Sequence, residues 1–306
     1  MAVRLILAAA ILLATPAARD AFAQQPPTIN ATEELAFDRP EAWALKYFIA
    51  NTTLSGLGTP VVTRAGSVSI GFEGGWIPTL TEAQQRVGFN GTAPQDMNKA
   101  PVMLRPQVVV GLPGRFAITA AVNPPIKAFG VTPRLVSGAL DWTATDTQAL
   151  RVTLRGHGQT GTVTGAFTCS AAVAANPPGS AANPTGCEGE SADEATLRYV
   201  GGEVRVALRV LTWNGITPHV AAGVNVVDAK YQLNAPAFGK IDRTLLTTSG
   251  VTPSTSAGIG YAVNDRIALA VDGYYAPMTV RRTATAAQTI DSLVNARALL
   301  IYRWRS

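Results

Sequence analysis

From Gly66 onward, apolar and polar residues in this chain alternate with a period of two. In SVSIGFEGGW, Val68, Ile70, Phe72 and Trp76 fall on one face, and Ser67, Ser69, Gly71 and Glu73 on the other. Successive side chains of a strand point to opposite faces, so such a segment reads as a strand between an apolar and a polar environment. The reading recurs over Arg105–Leu112, Arg115–Asn123, Arg134–Trp142, Leu150–Gln159, Ala195–Val210, Thr217–Gln232, Ser254–Val263, Arg266–Tyr275 and Leu293–Trp304. Ten strands of this kind in one chain leave few folds open.

The connections narrow the choice. Those at Pro113-Gly114, Thr143–Ala149, Leu211–Ile216 and Asn264-Asp265 are short, while 77–103, 124–133, 160–194, 234–253 and 276–292 are long. Short turns on one rim, long loops on the other and an even strand number are the plan of a membrane-spanning barrel. Aromatic residues sort the same way. Phe116, Trp142, Trp213, Tyr261, Tyr302 and Trp304 fall at short-turn ends, and Phe72, Trp76, Tyr199, Tyr231 and Tyr275 at long-loop ends. Two aromatic girdles are expected where a barrel meets both membrane interfaces. Pro106 stands awkwardly within the second strand, because a closed barrel has no edge to hide a missing N–H.

Residues 1–23 read as a signal peptide. Arg4 precedes an apolar run from Leu5 to Ala14, and Ala21-Phe22-Ala23 is an A-x-A cleavage site. The run is shorter than the roughly 20 apolar residues that span a bilayer. Charged residues make up only 15% of the chain, against about 25% in an ordinary soluble domain. An exported chain this apolar, with no later membrane helix, needs either a large β-sandwich core or a lipid-facing barrel. Cys169 and Cys187, in a Pro/Asn/Gly/Ser-rich stretch, are expected to pair in an oxidising compartment. The net charge of +5 is too mild to point to nucleic acid. Residues 24–65 do not alternate and form a separate segment before the barrel of 66–306. Within it FDRPEAWALKYFIA reads as a helix with Asp38 as N-cap and Pro40 in its first turn, ended by Gly56, Gly58 and Pro60. It is expected to plug the barrel, lie on the inner leaflet, contact a partner or, most simply, pack at the periplasmic mouth, with both termini on the short-turn side.

Together these features resemble the small bacterial outer-membrane β-barrel proteins. The resemblance covers about Gly66 to Ser306 and is most specific in the last strand, where Ala298, Leu300, Tyr302 and Trp304 match the family's recognition signal for the barrel-assembly machinery. Arg305 and Ser306 depart from the strictly terminal aromatic. The resemblance implies a monomeric, all-β protein of the outer membrane, with outer-membrane lipid and lipopolysaccharide around it and the assembly machinery as its partner during biogenesis.

The face opposite the apolar one lines the lumen. It carries Glu73, Arg105, Gln107, Asp141, Arg151, Arg155, His157, Gln159, Glu203, Arg205, His219, Asn225, Asp272, Tyr274, Asn295 and Arg297. Charges there must be solvated or paired. The set is expected to act as a structural Arg–carboxylate network in a plugged barrel, or as a narrow pore whose Arg excess favours anions. Two other readings stay open. One is a barrel hydrolase or acyltransferase acting on lipid or peptide through His157 or His219; the other is a soluble periplasmic β-rich binding protein. The pattern calls for no cofactor and no metal, and no catalytic residue is assigned. The GIG of Ala257–Tyr261 sits inside the eighth alternating strand, where glycine is expected to let backbone and lumenal groups approach closely.

Overall fold

Alternation does produce the wall. The computed structural model describes residues 26–58, 64–283 and 285–305, so the signal peptide, with its cleavage site, and Pro60 lie outside the described residues. The wall is built from β1 (Val68–Trp76), β2 (Val102–Leu112), β3 (Phe116–Asn123), β4 (Val131–Asp146) and β5 (Arg151–Gly165), followed by β6 (Asp193–Ala207), β7 (Ile216–Gln232), β8 (Leu245–Ala262), β9 (Ile267–Ala276) and β10 (Leu293–Arg305). Each strand pairs antiparallel with the next, and β10 pairs back onto β1, with Arg297 opposite Gly75 and Tyr302 opposite Ile70. The sheet therefore closes into an all-β, ten-stranded antiparallel barrel. Every strand has a paired neighbour on both sides, as hydrocarbon surroundings demand, except that the β2–β3 ladder stops at Gln107–Ala121, short of the long-loop end of β2.

Several strands run beyond their expected limits. β8 starts at Leu245 rather than near Ser254, β5 continues to Gly165 instead of ending at Gln159, and β4 runs from Val131 to Asp146, past both its expected ends and into the turn expected at Thr143–Ala149. Pro253 accordingly stands inside β8, opposite Val224, two residues above Thr255, where pairing with β9 begins. Pro106 has a similar explanation. It pairs with Phe72 of β1, but the ladder from β2 to β3 stops at Gln107–Ala121, so there is no bond to break on that side.

Helix α1 (Pro40–Thr52) forms as read, with two corrections. Its N-cap is Arg39, with Pro40 at the first turn, while Asp38 pairs instead with Arg281 at 3.1 Å. It also lies inside the barrel, not against the short-turn mouth. Nearly every residue of α1 is buried. Its apolar side chains point in all directions, as expected of a helix surrounded by protein. Trp43 and Tyr47 pack with Leu80, Met97, Tyr274, Met278 and Leu293, whereas Leu45 and Ile49 pack with Leu135, Phe167, Leu197 and Tyr231.

The helix enters from the long-loop rim. Trp43 Nε1 donates to Asp291 O, Lys46 Nζ to Thr279 O and Tyr47 Oη to Pro78 O, all just beyond strand ends on that side. The segment before it also lies there: Thr28–Ile29 pairs with Ile241–Asp242, and Thr32–Glu34 with Leu245–Thr247. The N-terminal segment thus sits opposite the rim expected for it. On the same side, Cys169 and Cys187 form a disulfide.

Candidate functional site in the barrel lumen

Below α1 the chain continues through the lumen as an irregular strap, Thr53–Gly58. An irregular backbone has no ladder of its own, so its N–H and C=O groups need other partners. Wall side chains supply them in alternation. The amides of Leu54, Gly56 and Gly58 donate to Tyr199 Oη (2.6 Å), Glu203 Oε1 (2.9 Å) and Asp272 Oδ1 (3.3 Å). The carbonyls accept from arginines. Arg297 donates to Ala50 and Thr53 (2.6 and 2.7 Å), Arg105 to Thr52 and Thr53 (2.7 and 3.2 Å), and Arg205 to Leu57 and Gly58 (3.2 and 2.7 Å). Gly56 passes so close to the wall that a Cβ there would lie 2.1 Å from Arg205 Nε and 2.3 Å from Glu203 Oε1.

The charges also pair among themselves. Arg105 makes a forked contact with Glu73, Nε to Oε2 at 3.0 Å and Nη2 to Oε1 at 2.7 Å, and neither side chain has any exposed surface. Such bidentate pairs are the strong form of a charged hydrogen bond. Asp141 bridges Arg155 (2.7 Å) and Arg205 (3.4 Å), and Glu203 lies 3.6 Å from Arg205. Arg297 has no ion pair among the described residues, and its guanidinium covers the Tyr274 ring at 4.0 Å. Gln159 donates to Thr52 Oγ1, and Asn295 to Asn51 Oδ1. Gln107 is buried on the lumen face, while Arg151 sits at the short-turn rim with Asp146.

Both histidines reach across an intervening strand over a glycine. His157, Gly201 and Asn225 share one register level, and His157 Nε2 meets Asn225 Oδ1 at 2.8 Å. His219, Gly258 and Asp272 share another, with Nε2 to Oδ2 at 2.8 Å. A Cβ at Gly201 would come within 2.2 Å of Asn225 Oδ1, and one at Gly258 within 2.7 Å of Asp272 Oδ1. Ser256, a lumen-facing hydroxyl overlooked in the sequence, lies two residues from Gly258. Neither Ser256 Oγ nor His219 Nδ1 has a hydrogen-bond partner among the described residues. Asp272 divides its two oxygens, Oδ2 meeting His219 and Oδ1 accepting from the amide of Gly58.

The outward face is the reverse of the lumen. Ile70, Phe72, Leu104, Val200, Val271 and Leu300 stand exposed around the ring, between aromatics at the strand ends. Trp142, Trp213, Tyr261, Tyr302 and Trp304 project outward near the short turns, and Trp76 and Tyr275 near the long loops. Phe72, expected at the long-loop end, lies instead in mid-strand opposite Leu300. Tyr199 and Tyr231 do not belong to this girdle. They share the parity of Glu203 and Asn225 and point inward, Tyr199 to the strap and Tyr231 to Thr168. A closed ten-stranded wall with a charged, occupied interior and an apolar, aromatic-flanked exterior is made for lipid. This is the fold of an outer-membrane β-barrel. A soluble periplasmic protein would not carry that exterior.

No family model and no curated protein matches the chain. Among solved structures it is similar to the outer membrane protease OmpT of Escherichia coli, at 10% identity over 78% of this chain and 94% of that one, with a TM-score of 0.40. It is similar also to the translocator domain of the autotransporter NalP of Neisseria meningitidis, at 9% identity over 89% and 100% of the two chains and a TM-score of 0.40. A third is the attachment invasion locus protein Ail of Yersinia pestis, at 12% identity over 79% and 100%, with a TM-score of 0.30.

The barrel's exterior gives a direct test of its placement in the membrane. On β9, Val271 lies midway between Tyr275 at the upper girdle and Ile267, which pairs with Tyr302, at the lower one. Val271→Arg is expected to lower folding stability in lipid by about 2–4 kcal/mol, as basic residues do at the bilayer midplane of such barrels. Urea titration in liposomes measures it, and a change below about 1 kcal/mol would place Val271 outside the hydrocarbon.

Proposed function

We propose that the protein is a self-plugged barrel of narrow bore, closed at rest by its own N-terminal strap and able to conduct small ions when the strap is out. The observation that carries this reading is the set of three buried arginines, Arg105, Arg205 and Arg297, whose guanidinium groups donate to the strap carbonyls of Thr53 and Gly58. Groups that would line a channel serve here as anchors for a backbone segment that fills it. Without the strap, Arg105, Arg155, Arg205 and Arg297 face Glu73, Asp141, Glu203 and Asp272 on the lumen wall, while Arg151 is held by Asp146 at the rim. The four positive and four negative charges balance, so the bore is expected to discriminate only weakly between anions and cations by the charged-ring logic of selective pores.

Single-channel recording in planar bilayers tests the proposal. The full chain is expected to stay silent, and a variant lacking Gln24–Ala65 to conduct steadily with little preference between anions and cations. Heat-modifiable migration on a gel confirms that the shortened barrel has folded. Silence in the folded, shortened protein would end the pore reading and leave a purely structural barrel.

A further inference from the structure

The ring is closed, but one seam is open near its long-loop end. The ladder between β2 and β3 stops at Gln107–Ala121, although β2 continues up to Val102. Above that point a single side chain spans the gap, Asn123 Nδ2 donating to Leu104 O at 2.8 Å. A cavity of about 230 Å³ lies in this gap. It is lined by residues from both faces of β2: Val102 and Leu104, which point outward, and Met103, which points inward. The cavity therefore runs from the lipid-facing surface through the wall to the upper lumen, where α1 forms its floor.

We propose that this cavity is a binding site for a small, uncharged, single-ring aromatic molecule taken from the outer leaflet. Four observations select that occupant. The cavity is continuous with the lipid-facing exterior at the level of Trp76, which pairs with Val102, so its entrance lies at the membrane interface and not in the lumen below. Its wall is almost wholly apolar, and Lys99, the cation at its edge, is already paired with Asp96 at 2.7 Å. An ionised ligand would find no counter-charge there. The size is right as well, since an apolar cavity of about 150 Å³ takes up benzene. Phe48 and Phe167, with ring centroids 5.3 Å apart, and the sulfurs of Met97 and Met103 offer the tilted-ring and sulfur–ring contacts that favour an aromatic guest over an alkyl chain. The proposal does not depend on whether the strap ever leaves the lumen.

Photolabelling of the full chain in lipid nanodiscs tests it. The probe is 3-trifluoromethyl-3-phenyldiazirine, a single-ring apolar compound, and the labelled residues are read by mass spectrometry. Saturable labelling of Met97 and Met103 is expected, falling about tenfold when toluene is present at ten times its half-saturating concentration. Ala100→Trp, which places a ring in the cavity, is expected to abolish the same labels while leaving heat-modifiable migration unchanged. Labelling confined to Val102 and Leu104 would overturn the proposal. So would labelling of Met97 that neither saturates nor yields to toluene, whatever the variant does. Capture of Met97 by a phospholipid with a diazirine in its acyl chain, with no competition from toluene, would give the cavity to a membrane lipid instead.

Discussion

Glu73→Ala is expected to destabilise the barrel by about 3–5 kcal/mol, the range for removing one partner of a buried ion pair. Arg105 would keep its bonds to the carbonyls of Thr52 and Thr53 but would lose the forked carboxylate contact and stay fully buried as a cation. Urea unfolding followed by the loss of heat-modifiable migration reads the change. The Glu73→Met/Arg105→Met double variant separates charge from packing. It removes both ions, so it is expected to recover part of the loss. Recovery stays incomplete because Thr52 O is then left without its donor, a penalty of about 1–3 kcal/mol for a buried unpaired group. A Glu73→Ala effect below about 1 kcal/mol would mean that water reaches the pair and that the lumen is wet there.

The second large effect is all or none. Thr28→Cys is expected to react fully with a membrane-impermeant maleimide on intact cells. Leu211→Cys, exposed beside a short turn, is expected to react only after the cells are broken. Thr28 pairs with Ile241 in a long loop, and the chain then enters the lumen from that rim. In barrels of this class the long loops face the exterior. Cys169 and Cys187 are tied to each other and do not compete for the reagent. Reaction of Thr28→Cys only after lysis would mean that the strap runs the other way, or that the barrel is inverted.

The wall was legible because lipid and lumen impose opposite demands on neighbouring residues, and alternation records that opposition. Where the contrast fades, so does the signal. The upper part of β8, LLTTSGVTP, carries Thr and Ser on both faces and reads as loop, although it pairs with β7 along its whole length. Tyr199 and Tyr231 were placed by chain position alone, while their parity with Glu203 and Asn225 already set them inside. Helix α1 could be recognised but not located, because side chains that are apolar all round fit a lumen and a mouth equally. The strap was invisible for a different reason. TLSGLG has no period, since its partners are not neighbouring backbone groups but arginines and carboxylates brought in from β2, β6, β9 and β10. The bridges from His157 to Asn225 and from His219 to Asp272 needed the register of three strands at once, and Gly201 and Gly258 were only half of that clue.

A consequence follows for how such a molecule is made. Arg297 belongs to the last strand, and Glu73 and Arg105 belong to the first two; the strap meets them on either side of the seam where the ring shuts. A continuous ring admits no thread from the side, so the strap either lies in the half-built trough as the last strand arrives or slides in along the axis afterwards. In both orders it is the shut ring, with Arg297 brought beside Glu73 and Arg105, that clasps it.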